Sequence, residues 1–97
     1  MHYCYILYSK KIDRFYIGET EDFVRRYQEH LSGYFKHSFT SRTDDWELYM
    51  LIECSNRFEA RKLENFLKRM KSRTFIQRLK SDPFLLDEIM QHQIRGS

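Results

Sequence analysis

Two short runs of aromatic and aliphatic residues, Tyr3-Cys4-Tyr5-Ile6-Leu7-Tyr8 and Phe15-Tyr16-Ile17-Gly18-Glu19, flank a polar stretch at residues 9–14. Runs of this composition, bounded by polar turn residues, read as strands, and two of them in succession read as a hairpin. Tyr5 and Tyr16 stand eleven positions apart, one on each strand (16 − 5 = 11). Seven Tyr, eight Phe and one Trp in 97 residues argue against a disordered chain, and a core this small depends on large rings. The length corresponds to one domain spanning residues 1–97.

Beyond the hairpin the pattern turns helical. Thr20 or Asp22 can cap a helix running to about Ser32, with Gly33 at its C′ position. Phe23, Val24, Tyr27 and Leu31 form its expected apolar stripe, with Arg26 and His30 four apart on one flank. Residues 34–45 lack a period and read as an exposed loop. Residues 46–53 alternate, placing Trp46, Leu48, Met50 and Ile52 on one side of a third strand. Asn56 and Glu59 match a capping box for a second helix to about Lys71, burying Ala60, Leu63, Leu67 and Met70. Glu64 lies about 100° round that helix from Leu63, at the edge of the stripe. A shorter helix is expected over 74–80, and Asp82-Pro83 opens a last one through about Gln91.

Charge is unevenly spread. Residues 57–80 hold nine Lys/Arg against Glu59 and Glu64, a local +7, while residues 1–56 and 81–97 each sum to −2. A basic segment on a weakly acidic body suits a phosphate backbone, although a solvated helix face gives the same pattern. Cys4 and Cys54 have no CxxC or zinc spacing with the four His, and are expected as buried free thiols. No signal peptide or membrane span is visible, so a cytoplasmic, non-membrane location is expected. The tail Gln93-Ile94-Arg95-Gly96-Ser97 is assigned no functional role.

The order Tyr5, Tyr16, Arg26 ten residues later, His30 four further on, and Glu64 on a later helix resembles the GIY-YIG nuclease family. Its two name-giving tripeptides read here Tyr3-Cys4-Tyr5 and Tyr16-Ile17-Gly18, and Arg69-Met70-Lys71-Ser72-Arg73 resembles the end of the metal-bearing helix in small bacterial members. The resemblance covers about residues 3–80 and leaves 81–97 as a C-terminal helix and tail. It implies an α/β (α+β) fold, a small three-stranded antiparallel sheet flanked by helices. The strand–strand–helix–strand–helix order fits that fold independently.

The resemblance further implies a divalent-metal-dependent endonuclease that hydrolyses phosphodiester bonds. Both motif tyrosines would lie beside the attacking water, Arg26 would hold the phosphate, and His30 would sit near the nucleophile or leaving group. Glu64 would coordinate Mg²⁺ or Mn²⁺, and Gly18 would leave room where the backbone crowds the site. Lys68, Lys71 and Arg73 would contact substrate. The chemistry is consistent with these residue types. A hard cation prefers carboxylate oxygen, the planar Arg fork can hold two phosphate oxygens, and a single carboxylate predicts weak metal binding without nucleic acid. A tyrosine, with an ordinary pKa of about 10, needs a nearby cation or a proton relay to act as base.

Structural readings stand beside these. Strand tyrosines are commonly core, Gly18 can be a strand-end glycine, and Glu64 can pair with Lys68 at i+4. Three departures from the family pattern are visible. Tyr3 replaces a glycine, Glu19 stands where excision-repair members of the UvrC type carry Lys, and Gln77 is the nearest residue to an Asn carried after the metal glutamate by some members. The expected substrate is DNA, branched or flapped forms and a repair role included, with RNA left open. Low sequence specificity, or a protein partner that supplies it, follows from the lack of a recognition module. A catalytically degenerate nucleic-acid-binding module is the alternative. A protein-interaction domain using Tyr34, Phe35 and Phe39 is a third.

Overall fold

The computed structural model describes residues 1–32 and 39–96. Strand β1 (His2–Ser9) pairs antiparallel with β2 (Arg14–Thr20) and with β3 (Glu47–Cys54), giving the order β2-β1-β3 with β1 in the centre. The first two strands form the expected hairpin, with Tyr5 opposite Gly18 and Leu7 opposite Tyr16. Asp13 takes a left-handed conformation in its turn, a backbone state that short polar Asp tolerates.

Because side chains alternate along a strand, the sheet has two distinct faces. Cys4, Ile6, Ile17, Ile52 and Cys54 point to one, where they pack with Leu63, Leu67 and the C-terminal helices. Tyr5, Leu7 and Trp46 point to the other, with Tyr16, Phe23, Tyr27 and Phe39. Four helices flank the sheet: α1 (Phe23–Ser32), α2 (Arg57–Met70), α3 (Arg73–Ser81) and α4 (Pro83–Ile89). Helix α1 carries Phe23 and Tyr27 onto the tyrosine face, while α2 packs against β1 and β2 on the opposite face. The fold is therefore the expected three-stranded α+β architecture.

Three local expectations are corrected. Trp46, Leu48, Met50 and Ile52 do not share a face. Ile6 lies opposite Met50 but Leu7 opposite Leu48, so Tyr49 is an extra residue, and this bulge turns Trp46 onto the tyrosine face while Met50 and Ile52 stay on the other. The inward side of α1 is also rotated, with Val24 and Leu31 exposed and His30 buried. Met70 is exposed at the end of α2, where Lys71 turns the chain in a left-handed cap. The tail, to which no functional role is assigned, is packed into the fold. After α4 the chain continues as a π-helical segment, Met90–Arg95, that buries Met90 and Ile94 and pairs Arg95 with Glu59 at 3.0 Å.

The capping expectations hold in modified form. Asn56 accepts from the Glu59 amide at 2.9 Å, but Glu59 reaches back to the Ser55 amide rather than to Asn56. Asp82 accepts from the Phe84 and Leu85 amides above Pro83. Both cysteines are free and buried. No helix among the described residues is long and apolar enough to cross a membrane. Gly33, Tyr34 and Phe35 lie outside the described residues. Phe39 is partly buried against Trp46 and Tyr16 rather than displayed as a docking surface.

Candidate active site

The tyrosine face owes its shape to the meeting of Tyr5 and Gly18 across the hairpin. The Tyr5 ring lies over the glycine, so that a Cβ at position 18 would stand 2.5 Å from the phenolic oxygen. Gly18 is thus more than a strand-end residue. Its missing side chain is the space the Tyr5 phenol occupies.

From that position the Tyr5 hydroxyl meets His30 Nε2 at 2.8 Å, and His30 Nδ1 meets Thr40 Oγ1 at 2.9 Å. All three residues are buried, Tyr5 completely. Burial, with the Arg26 guanidinium adding to it, lowers the His30 pKa to about 4, so the imidazole is neutral near pH 7. A neutral imidazole carries one donor and one acceptor, and either tautomer satisfies both neighbours. Thr40 is itself fixed, because its carbonyl accepts from Trp46 Nε1 at 2.8 Å while the Trp46 carbonyl accepts from the Tyr27 hydroxyl at 2.6 Å. Ser9, Thr43 and the Lys11 amide all bond the Asp45 carboxylate, which ties the segment before Trp46 to the hairpin turn.

Tyr16 stands beside this chain of hydrogen bonds. Its ring centroid is 5.2 Å from His30, edge to face, and 6.2 Å from Tyr5, with Phe39 stacked 6.4 Å away. The two motif tyrosines therefore differ in access. Tyr16 is partly exposed and can touch water, whereas Tyr5 is sealed beneath it. Burial and the neighbouring Tyr16 hold the Tyr5 phenol well above the ordinary tyrosine pKa, despite opposition from Arg26. Tyr5 thus remains a neutral hydroxyl near pH 7.

Arg26 projects from the inward side of α1, hydrogen-bonded to the Tyr5 phenol, with Nε 3.2 Å from Glu29. It lines a polar cleft of about 250 Å³ with His2, Glu19, Arg25 and Arg57. Glu19 is held there by His2 at 2.6 Å and by Arg57 at 3.9 Å, so the site spends this carboxylate on ion pairs. Glu64 approaches from α2, on the other side of the β2 edge. Its charge acts on Cys4 and, as a lesser influence, on the Tyr5 phenol. It also bonds Lys68 at 2.7 Å, the i+4 pair foreseen as the structural alternative. The pair leaves the second carboxylate oxygen of Glu64 without a bond among the described residues.

The donor set fits a hard divalent cation sparingly. No group of three His, Cys, Asp or Glu side chains gathers among the described residues. Glu19 and Glu64 are similarly buried, but Glu19 has both oxygens in ion pairs, so Glu64, with one oxygen unbonded among the described residues, is the carboxylate that would hold such a cation, weakly without substrate phosphate.

The structure thus brings Tyr5, Tyr16, Gly18, Arg26 and His30 together, with Glu64 and Lys68 at the margin. Lys71 caps α2 and faces away from the tyrosines, towards a groove beside the C-terminal segment. Arg73 is elsewhere, bound to the Asp13 carboxylate at 2.8 Å and carbonyl at 2.7 Å, with its guanidinium over Phe15. Its place is the hairpin turn. Thr40, Tyr27 and Trp46 were not foreseen as parts of the site, because they act through contacts between segments that no local period encodes.

A family model described as the GIY-YIG catalytic domain matches residues 1–80. No curated protein and no solved structure gives a significant match.

Proposed function

The chain belongs to the GIY-YIG catalytic-domain family, a nuclease family acting on nucleic acid, and we propose that it is a divalent-metal-dependent endonuclease hydrolysing DNA. The observation carrying this reading is the cluster of Tyr16, His30 and the Tyr5 phenol, with the Arg26 guanidinium acting on the same phenol.

In this reading Arg26 and Arg57 draw the scissile phosphate into their cleft, and the Arg26 fork holds its oxygens as negative charge develops. Tyr16, the water-accessible tyrosine, orients the attacking water through its hydroxyl. Behind it, Tyr5, His30 and Thr40 form a neutral hydrogen-bonded chain that fixes the Tyr16 ring and can shuttle a proton by a change of tautomer. Glu64 would hold Mg²⁺ or Mn²⁺, which would supply Lewis-acid stabilisation of the phosphoryl oxygens. Lys68 keeps the Glu64 side chain extended and offsets its repulsion of phosphate.

The test is digestion of a panel of labelled substrates, namely duplex, nicked, branched, flapped and single-stranded DNA and a matched RNA. Each is run with Mg²⁺, with Mn²⁺ and with chelator. Metal-dependent cleavage of DNA, lost in Arg26→Ala, is the expected result. Salt-sensitive binding without turnover on any substrate would instead identify a degenerate binding module.

A further inference from the structure

A second groove lies away from the tyrosines. It lies between α2 and the C-terminal segment, encloses about 600 Å³, and is lined by Lys62, Lys68, Arg69 and Lys71 over an apolar floor of Phe66 and Ile94. No carboxylate lines it. Arg69 and Lys71 are exposed and make no ion pair among the described residues. Lys62, in contrast, is anchored to the Ile94 carbonyl at 2.8 Å.

The groove is continuous with the site through one side of α2. Arg57, Arg61, Glu64, Lys68 and Lys71 follow at offsets of 4, 7, 11 and 14 residues, which at 100° per residue keeps them within about 40° of one line. Glu64 stands in the middle of that line. Arg57 at one end lines the Arg26 cleft, and Lys68 and Lys71 at the other enter the groove.

We propose that this side of α2 is a track for one nucleic-acid strand, and that the groove of Lys62, Arg69 and Lys71 is a second phosphate-binding site beyond the scissile position. The proposal rests on the nuclease reading and adds a direction and a length to it. Seven residues of helix separate Glu64 from Lys71, about 10 Å, a distance on the scale of neighbouring phosphates along one strand. A phosphate diester backbone is the ligand that matches a groove of four cations, of which only Lys68 is paired, to Glu64 outside the groove lining. The apolar floor of Phe66 and Ile94 suits a sugar edge rather than a free ion.

The test compares wild type with Arg69→Gln/Lys71→Asn, which removes the two cations that hold nothing else in the fold. Asn is chosen at position 71 because it tolerates the left-handed backbone there. Binding to a 20-base-pair DNA duplex is measured against salt, with Glu64→Gln as the background to prevent cleavage. The slope of log K against log[salt] is expected to fall by about 2, and affinity at low salt to drop at least tenfold. An unchanged slope on this duplex overturns the groove while leaving the nuclease reading intact. Absence of salt-dependent DNA binding by the parent protein overturns both.

Discussion

The phenol of Tyr5 fills the space that a side chain at Gly18 would occupy, 2.5 Å from its oxygen and 2.6 Å from Cζ. Two residues on adjacent strands are thereby committed to each other, and the position of the His30 imidazole follows from theirs.

Gly18→Ala is therefore expected to be severe. The methyl group would push a completely buried ring with no free volume around it, at a cost of about 1–3 kcal/mol, and would break the bond to His30. Thermal unfolding and cleavage should both report it. Adding Tyr5→Phe should relieve only part of the loss, because the ring carbon Cζ clashes as well as the oxygen. Full stability in the single variant would contradict the geometry.

Thr40→Val keeps the shape of a buried residue and removes the hydroxyl that holds His30 Nδ1. An unsatisfied buried imidazole nitrogen costs about 1–3 kcal/mol. Because Thr40 would act through His30, cleavage should fall in kcat more than in KM, and Thr40→Ser should restore much of it. Loss in the Ser variant with activity kept in the Val variant would mean that the methyl, not the hydroxyl, matters.

The pH dependence of folding should carry the signature of His30. Its folded pKa of about 4 lies below the ordinary value of 6.5, so the unfolded chain binds more protons between the two. Stability from this group is present in full above pH 6.5 and is lost as pH falls towards 4, on the order of 3 kcal/mol. Asp45, lowered to about 2 by its bonds from Ser9 and Thr43, adds a separate loss only below its ordinary 3.8. Urea unfolding at stepped pH should show the upper window in wild type and lose it in His30→Gln. A flat profile from pH 6.5 to 4.5 would refute neutral burial of His30.

Glu64→Gln keeps helix propensity and volume while removing the charge. Cleavage should collapse, salt-dependent DNA binding should survive or tighten, and stability should change by only tenths of a kcal/mol through loss of the Lys68 pair. Glu64→Asp should also fail, since the shorter arm retracts the carboxylate. Wild-type cleavage by folded Glu64→Gln protein, with Arg26→Ala as the contamination control, would remove Glu64 from the chemistry.

What the sequence determined by itself was everything local. The hairpin, the Asn56 and Asp82 caps and the basic helix follow from side chains acting within a few residues of their own backbone, and the order and spacing of Tyr5, Tyr16, Arg26, His30 and Glu64 were enough to identify the family. The tertiary structure decided what depends on distant segments meeting. The bulge at Tyr49 sends Trp46 to the tyrosine face, where its indole holds Thr40 and so orients His30. Residue 73 is drawn to Asp13, sixty positions away, and the tail at Ile94 closes a groove against α2. Period and propensity cannot reveal such pairings. The energy that fixes them comes from burial and hydrogen bonds between chain segments, and a one-residue bulge reverses which face every following side chain serves.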